Sequence, residues 1–197
     1  MLELWLIRHG KTEGNKTGRY IGTTDEPLCP EGGDLLRSLH YPQVDAVFSS
    51  PKKRCLQTAQ ILYPKHKPQV IVELAECDFG EFENKNYQEL SGNEHYQQWI
   101  DSDGMLPFPG GESRQAFKDR SLTGFEMAVR DCICRGFHKA GLIVHGGTIM
   151  NLMEEYCTER RSFYEWHVEN GKGYHVALDP QVWGKGDKRL VLKQIYQ

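Results

Sequence analysis

The sequence predicts an α/β fold with a mostly parallel central sheet. Three observations carry that prediction. Short apolar runs alternate with capped or amphipathic segments along the chain, the pattern of strands followed by helices. Two of those runs stop in polar, glycine-bearing turns, Arg8-His9-Gly10 and His145-Gly146-Gly147, where a strand would meet a loop. No internal repeat, low-complexity tract or long linker divides the 197 residues, which suits one domain over 1–197.

Residues 2–7 read as a buried strand. The polar, glycine-rich stretch 11–33 is too long for a simple connection, and loops of that length usually serve function. A second strand is expected over 44–48. Ser49-Ser50-Pro51 then reads as a helix start, with Ser50 as cap, Pro51 at the first helical position and an end near Leu62. Residues 70–72 form a third short strand. The segment 76–112, rich in aromatics, acids and glycine, is expected as short helical pieces and loops lying over a site. Ser113 is placed to cap a long helix reaching about Gly136, with Phe117, Phe125, Val129, Cys132 and Ile133 near one stripe. Residues 142–144 are another strand, followed by a helix over 148–156. The tail offers strands at 174–178 and 190–195, a hairpin around Asp179-Pro180 and 184–186.

Composition narrows the function. Twenty-four basic against 27 acidic residues give a formal net charge of −3, without the basic excess of a nucleic-acid binder. The apolar run at 2–7 is too short for a signal peptide and carries an acid where a basic region belongs. Nothing approaches the roughly 20 apolar residues that cross a bilayer. The expected compartment is the cytoplasm. The six cysteines show no Cys-x-x-Cys pair, which predicts free thiols and no structural zinc. Cys132 and Cys134, two apart in a helix, point to different sides.

Ligands of parallel sheets bind beyond the carboxyl ends of the strands. His9, Ser49 and His145 each stand just past a predicted strand end, so topology gathers them at one edge. That edge suits a phosphate monoester. Phosphoryl transfer needs a nucleophile, positive charge on the equatorial oxygens and a proton for the leaving oxygen. His9 can attack through one ring nitrogen if a loop carbonyl holds the other. Arg8 and Arg54 each offer a fork of donors, and a protonated His145 adds charge. The amides of Gly146 and Gly147 near a helix start suit an anion, and Asn15 and Thr12 can donate further hydrogen bonds. Glu76 is the acid of choice, since a carboxyl beside a phosphoryl dianion has a raised pKa; spacing alone leaves Glu73, Asp78, Glu81 and Glu83 as rivals. Arginine and histidine do the neutralising, so no metal and no cofactor is expected. Cys55 lies in no Cys-x5-Arg loop and Ser50 in no Gly-x-Ser-x-Gly elbow, which argues against thiol or serine catalysis. Lys11, Arg19, Lys53 and Arg114 line an outer pocket or are solvated surface charges.

Six motifs then stand in order: Leu6-Ile7-Arg8-His9-Gly10-Lys11-Thr12-Glu13-Gly14-Asn15; Tyr20-Ile21-Gly22-Thr23-Thr24-Asp25-Glu26-Pro27-Leu28; Ser49-Ser50-Pro51-Lys52-Lys53-Arg54; Glu76-Cys77-Asp78-Phe79-Gly80-Glu81-Phe82-Glu83; Pro109-Gly110-Gly111-Glu112-Ser113; and Val144-His145-Gly146-Gly147. Together they resemble the histidine phosphatase (phosphoglycerate mutase-like) superfamily. The resemblance implies a three-layer α/β/α sandwich and a phosphohistidine intermediate on His9. It assigns Arg8, Arg54 and His145 to the phosphate pocket, and Glu76 rather than its rivals to proton donation. Asn15, Thr12, Gly22 and Gly146 join as phosphate-binding positions. Within the superfamily the chain looks most like the α-ribazole phosphatase branch of cobalamin synthesis, on the 78–83 segment, the Pro-Gly-Gly-Glu-Ser turn and Trp166-His167-Val168 with Asn170-Gly171. The implied partner is a small phosphorylated metabolite, with oligomeric state open. Two departures stand out: Asn84 follows Glu83 where many relatives have glycine, and Gly33-Asp34 replaces a common Gln-Ala. A cofactor-dependent mutase is the first alternative, disfavoured by the short stretch from Gly80 to Pro109. A non-catalytic phospho-ligand scaffold is the second, disfavoured because all the reactive residues are present.

Overall fold

The computed structural model describes residues 1–196. In chain order the elements are β1 (Leu2–Arg8), α1 (Glu13–Lys16), α2 (Pro30–Ser38), β2 (Ala46–Ser49), α3 (Lys53–Leu62), β3 (Gln69–Val70), α4 (Glu94–Asp101), α5 (Arg114–Arg135), β4 (Lys139–Val144), α6 (Gly146–Tyr156), β5 (Gly173–Leu178), α7 (Pro180–Gly184) and β6 (Val191–Tyr196). The strands form one six-stranded sheet in the order β3-β2-β4-β1-β5-β6. β3, β2, β4 and β1 run parallel to their neighbours, and β5 and β6 add an antiparallel edge.

Two-residue alternation divides the apolar side chains between the faces of this sheet. Leu2, Leu4 and Leu6 of β1, Ala46 and Phe48 of β2 and Leu142 of β4 join one core with Phe125, Val129 and Cys132 of α5 and Ile149, Leu152 and Met153 of α6. Trp5, Ile7, Val47 and Ile143 project the other way, against Cys55 and Ala59 of α3 and Tyr63. Helices on both faces make the three layers. The parallel runs are apolar throughout because both faces are covered.

Register then fixes the site. Arg8 of β1 lies beside Val144 of β4, and Ser49 of β2 beside Ile143. His9, Ser50 and His145 therefore leave the sheet at neighbouring points on one edge.

Several local expectations give way to tertiary contacts. Ser50 caps no helix: α3 begins at Lys53, Lys52 is its N-cap without a side-chain bond, and the Lys53 amide donates to Asp25 Oδ1 from the preceding loop at 2.7 Å. Ser50 is drawn away because buried His145 needs a partner, and its hydroxyl lies 2.7 Å from His145 Nε2. The third strand is Gln69–Val70, after which Val72–Leu74 turns as a 3-10 helix with Val72 outward. The stretch 11–33 holds α1 and the start of α2, which has Pro30 in its first turn. The tail strands do pair, but a short helix capped by Asp179 replaces a simple turn between them. α5 matches its reading: Ser113 Oγ accepts from the Ala116 amide at 3.1 Å, and Gly136 closes the helix at φ 68°, a left-handed conformation that favours glycine. Ile133 leaves the expected stripe and is partly exposed, while Cys132 is buried and Cys134 exposed. All six cysteines are free. No helix among the described residues is long and apolar enough to cross a membrane.

Candidate active site

The Arg8-His9-Gly10 turn is clamped from three directions. The His9 amide donates to Val144 O at 2.9 Å, and the Gly10 amide to Thr58 Oγ1 of α3 at 2.9 Å. From the segment before β5, the Gly171 amide donates to the carbonyls of Arg8 and His9, and Asn170 Nδ2 to His9 O at 3.1 Å. The ring is fixed as well. His9 Nδ1 lies 2.7 Å from Gly10 O. A carbonyl only accepts, so Nδ1 carries the proton and Nε2 keeps its lone pair. Burial, then Arg54 and Arg8, hold the His9 pKa well below the usual imidazole value, so the ring is neutral.

Arg54 is fully buried and held by a loop. Its Nη1 donates to Thr24 O at 2.9 Å and its Nη2 to Ile21 O at 3.1 Å. Arg8 Nη1 donates to Val168 O at 2.7 Å. In both arginines Nε is buried with no hydrogen-bond partner among the described residues. A buried unpaired donor is unfavourable, and an anion bound between the two guanidiniums would relieve both.

His145 is the N-cap of α6 and is buried. Its ring stands edge-on to His9, with centroids 5.2 Å apart. Burial, then Arg54, lower its pKa well below the usual value. Across the site, Glu76 Oε2 lies 3.9 Å from His145 Nδ1, with 12% of the glutamate side chain exposed. Burial raises the Glu76 pKa, and its Oε1 accepts from the Cys77 amide at 3.0 Å. The first turn of α6 touches both charged groups: a Cβ built at Gly146 would lie 3.4 Å from Arg8 Cζ, and one at Gly147 3.0 Å from Glu76 Oε1. Cys55 sits 3.6 Å from His145 Nε2, but burial pushes its thiol up to about 12 and leaves it inert.

The remaining expected positions divide. Thr12 Oγ1 accepts from the Asn15 amide, and Asn15 Oδ1 accepts from the Thr12 amide and from Asn170 Nδ2. With its oxygen so engaged, Asn15 has its Nδ2 donor left for a ligand. Gly22 has no free amide, because Glu83 Oε1 takes the amides of Gly22 and Thr24, each at 2.8 Å. Glu83 thereby shapes the loop whose carbonyls hold Arg54. A Cβ at Gly22 would lie 1.8 Å from Cys77 O, so Gly22→Ala should cost about 3 kcal/mol and misplace Arg54; urea unfolding of the variant checks this. Asn84 has φ 56°, the left-handed region that glycine and asparagine enter most easily, so this departure keeps the turn.

Sequence reading missed the brace behind Glu76. Arg120 of α5 pairs with Glu112 through Nε at 2.9 Å and Nη2 at 2.7 Å. Its Nη1 also donates to the carbonyls of Glu73 and Ala75, and its Nη2 to Glu76 O. One guanidinium so fixes the 73–76 backbone. The only signal was Glu112 in its Pro-Gly-Gly-Glu-Ser turn.

Two cavities open from the site. One, of about 220 Å³, runs from Glu76 and Gly147 between Tyr20, Phe79, Trp99 and Phe108, with Arg114 at its rim. The other, of about 560 Å³, is polar and lined by Arg8, Lys11, Asn15, Arg19 and His167. Lys53 lies outside both, exposed and 4.0 Å from Asp25.

The chain is similar to known proteins. The adenosylcobalamin/alpha-ribazole phosphatase of Escherichia coli (strain K12) is 35% identical over 187 residues, covering 90% of each chain. The 2,3-bisphosphoglycerate-dependent phosphoglycerate mutase of Rhizobium etli is 34% identical over 170 residues, 78% of this chain and 79% of the relative. The crystal structure of the alpha-ribazole phosphatase from Shigella flexneri matches the fold with a TM-score of 0.81 at 24% identity, over 100% of this chain and 96% of that one. The sequence profile of the histidine phosphatase superfamily (branch 1) matches residues 4–185, and the chain belongs to that family.

Proposed function

We propose that this protein hydrolyses a small phosphomonoester through a phosphohistidine on His9, and that α-ribazole 5′-phosphate is its substrate. One observation carries the reading: a neutral His9 of fixed tautomer stands among two arginines whose Nε donors have no protein partner. Arg8, Arg54 and His145 hold the equatorial oxygens. His9 Nε2 attacks phosphorus as the ester P–O bond breaks, and Glu76 gives its proton to the leaving oxygen. The Glu76 carboxylate then takes a proton from water, whose oxygen attacks phosphorus. The P–N bond breaks, and inorganic phosphate leaves. Bound phosphate dianion favours protonation of His145, against the burial and the Arg54 charge that lower its pKa.

The cavity beside Glu76 supports the choice of substrate. Its walls are aromatic, which suits a flat apolar group such as a benzimidazole. Rates with α-ribazole 5′-phosphate, with sugar phosphates, and with 3-phosphoglycerate plus 2,3-bisphosphoglycerate test the reading. Hydrolysis of the first should lead; efficient mutase turnover would overturn it. A cytoplasmic setting accompanies the proposal, and the six free thiols fit a reducing compartment.

The pKa directions set the pH profile. His9 must be neutral to attack, and its pKa lies below 6.5, so the acid limb of kcat/KM falls below pH 6.5. Glu76 must be protonated, and its pKa is raised above 4.5, so activity declines as pH rises through that raised value. The expected result is a bell whose acid limb lies below pH 6.5 and whose alkaline limb lies above pH 4.5, read from kcat/KM between pH 4 and 9. A rate that climbs steadily to pH 9 would contradict it.

A further inference from the structure

Glu76 protonates the leaving oxygen in the function proposed above, so the cavity that opens at Glu76 is where the leaving group sits. That cavity follows α5 and α6 outward. Phe117 touches the Gly147 position beside Glu76, and Arg114 stands one turn further along α5, about 5 Å away. On α6 the matching series is Gly147, Met150 and then Glu154, which faces Arg114.

Arg114 is held in place but weakly satisfied. Its guanidinium lies over the Phe163 ring at 4.8 Å, which fixes its plane. Among the described residues its donors reach only the Met105 sulfur at 3.4 Å and Glu154 at 3.7 Å, the latter beyond hydrogen-bond distance. Glu154 does not depend on Arg114, because Lys118 also pairs with it at 3.4 Å. A ligand can take the Arg114 fork without leaving a carboxylate unpaired. Arg114 is also the one arginine or lysine lining this cavity among the described residues.

We propose that Arg114 determines specificity by receiving a carboxylate or carbonyl oxygen at the far end of the leaving group, whose flat apolar body lies among Tyr20, Phe79, Trp99 and Phe108. The inference rests on the phosphatase reading and not on α-ribazole 5′-phosphate, whose base carries no such oxygen; it widens the substrate class to aromatic phosphate esters that bear a carboxylate or carbonyl.

The test compares two aryl esters of similar leaving-group acidity, 4-propylphenyl phosphate and 4-(carboxymethyl)phenyl phosphate, on the wild type, Arg114→Gln and Arg114→Lys. The wild type should favour the carboxylated ester about tenfold in kcat/KM, the yield of one charge-assisted hydrogen bond. In Arg114→Gln that preference should collapse to about twofold or less, through KM rather than kcat. Arg114→Lys, which keeps charge but loses the fork, should fall between. A wild type indifferent to the carboxylate overturns the proposal without recourse to any variant. So does an equal loss on both esters in Arg114→Gln, which marks a structural role. Failure of the phosphatase reading looks different: neither ester is hydrolysed and no phosphate appears on His9.

Discussion

Replacing His9 with alanine should lower turnover of any phosphomonoester by about 10⁴-fold or more and abolish the phosphoenzyme. The size follows from what the site retains. Arg8, Arg54 and His145 would still bind and polarise the phosphate, but water would have to attack without a positioned nucleophile. The fold should survive. The turn is held by backbone bonds to Val144, Gly171 and Asn170 that the imidazole does not make. The ring itself gives up a single hydrogen bond, from Nδ1 to Gly10 O. Removing a neutral base from between two cations also leaves no charge stranded. The measurement is single-turnover labelling with ³²P-substrate quenched in alkali, where phosphohistidine persists. Wild-type protein should carry label on His9, and the variant none at an unchanged melting temperature. A variant that turns over within tenfold of wild type would remove His9 from the chemistry.

The parts of this site that the chain spells out locally were readable, and the parts made by distant contacts were not. A strand that stops at Arg8-His9-Gly10 announces its turn, because the periodicity breaks at the residues proposed to carry the chemistry. His145 follows from the same break after β4, and parallel register brings the two together. Glu76 is different. Four other acids lie within seven residues of it, and only the family resemblance separated them. The structure supplies physical reasons. Glu83 is engaged by the Gly22 and Thr24 amides, Asp78 by the Gly80 amide, and Glu81 faces His95. Glu76 alone of these approaches His145. Ser50 misled because its local pattern is a good cap, and a buried histidine from 95 residues away competed for its hydroxyl. The aromatic cavity was legible only as composition: Tyr20, Trp99, Phe108 and Phe163 are scattered over four segments, and no sequence spacing brings them to one wall.

Glu76→Gln should separate the two halves of the reaction by their dependence on the leaving group. The substitution is isosteric, and the side-chain oxygen still accepts from the Cys77 amide. Arg120 continues to hold the 73–76 backbone, so geometry is preserved and only the transferable proton is lost. With an alkyl phosphate, whose alkoxide is a poor leaving group, kcat should fall by about 10³-fold, within the range of a positioned general acid. With p-nitrophenyl phosphate the first step needs little protonation and should be nearly spared. The second step still lacks its base, so phosphohistidine should accumulate to a burst close to one per active site before slow hydrolysis. The alkaline limb of the pH profile should flatten too, since it reports the Glu76 proton. Glu83→Ala offers the contrast, because it removes the oxygen that takes the Gly22 and Thr24 amides, loosens the 21–24 loop, displaces Arg54 and weakens phosphate binding for both substrates alike. If Glu76→Gln slowed alkyl and nitrophenyl esters equally, with no burst, the proton would come from another group. Asp78 would then be the next residue to replace, as the nearest acid in the same segment.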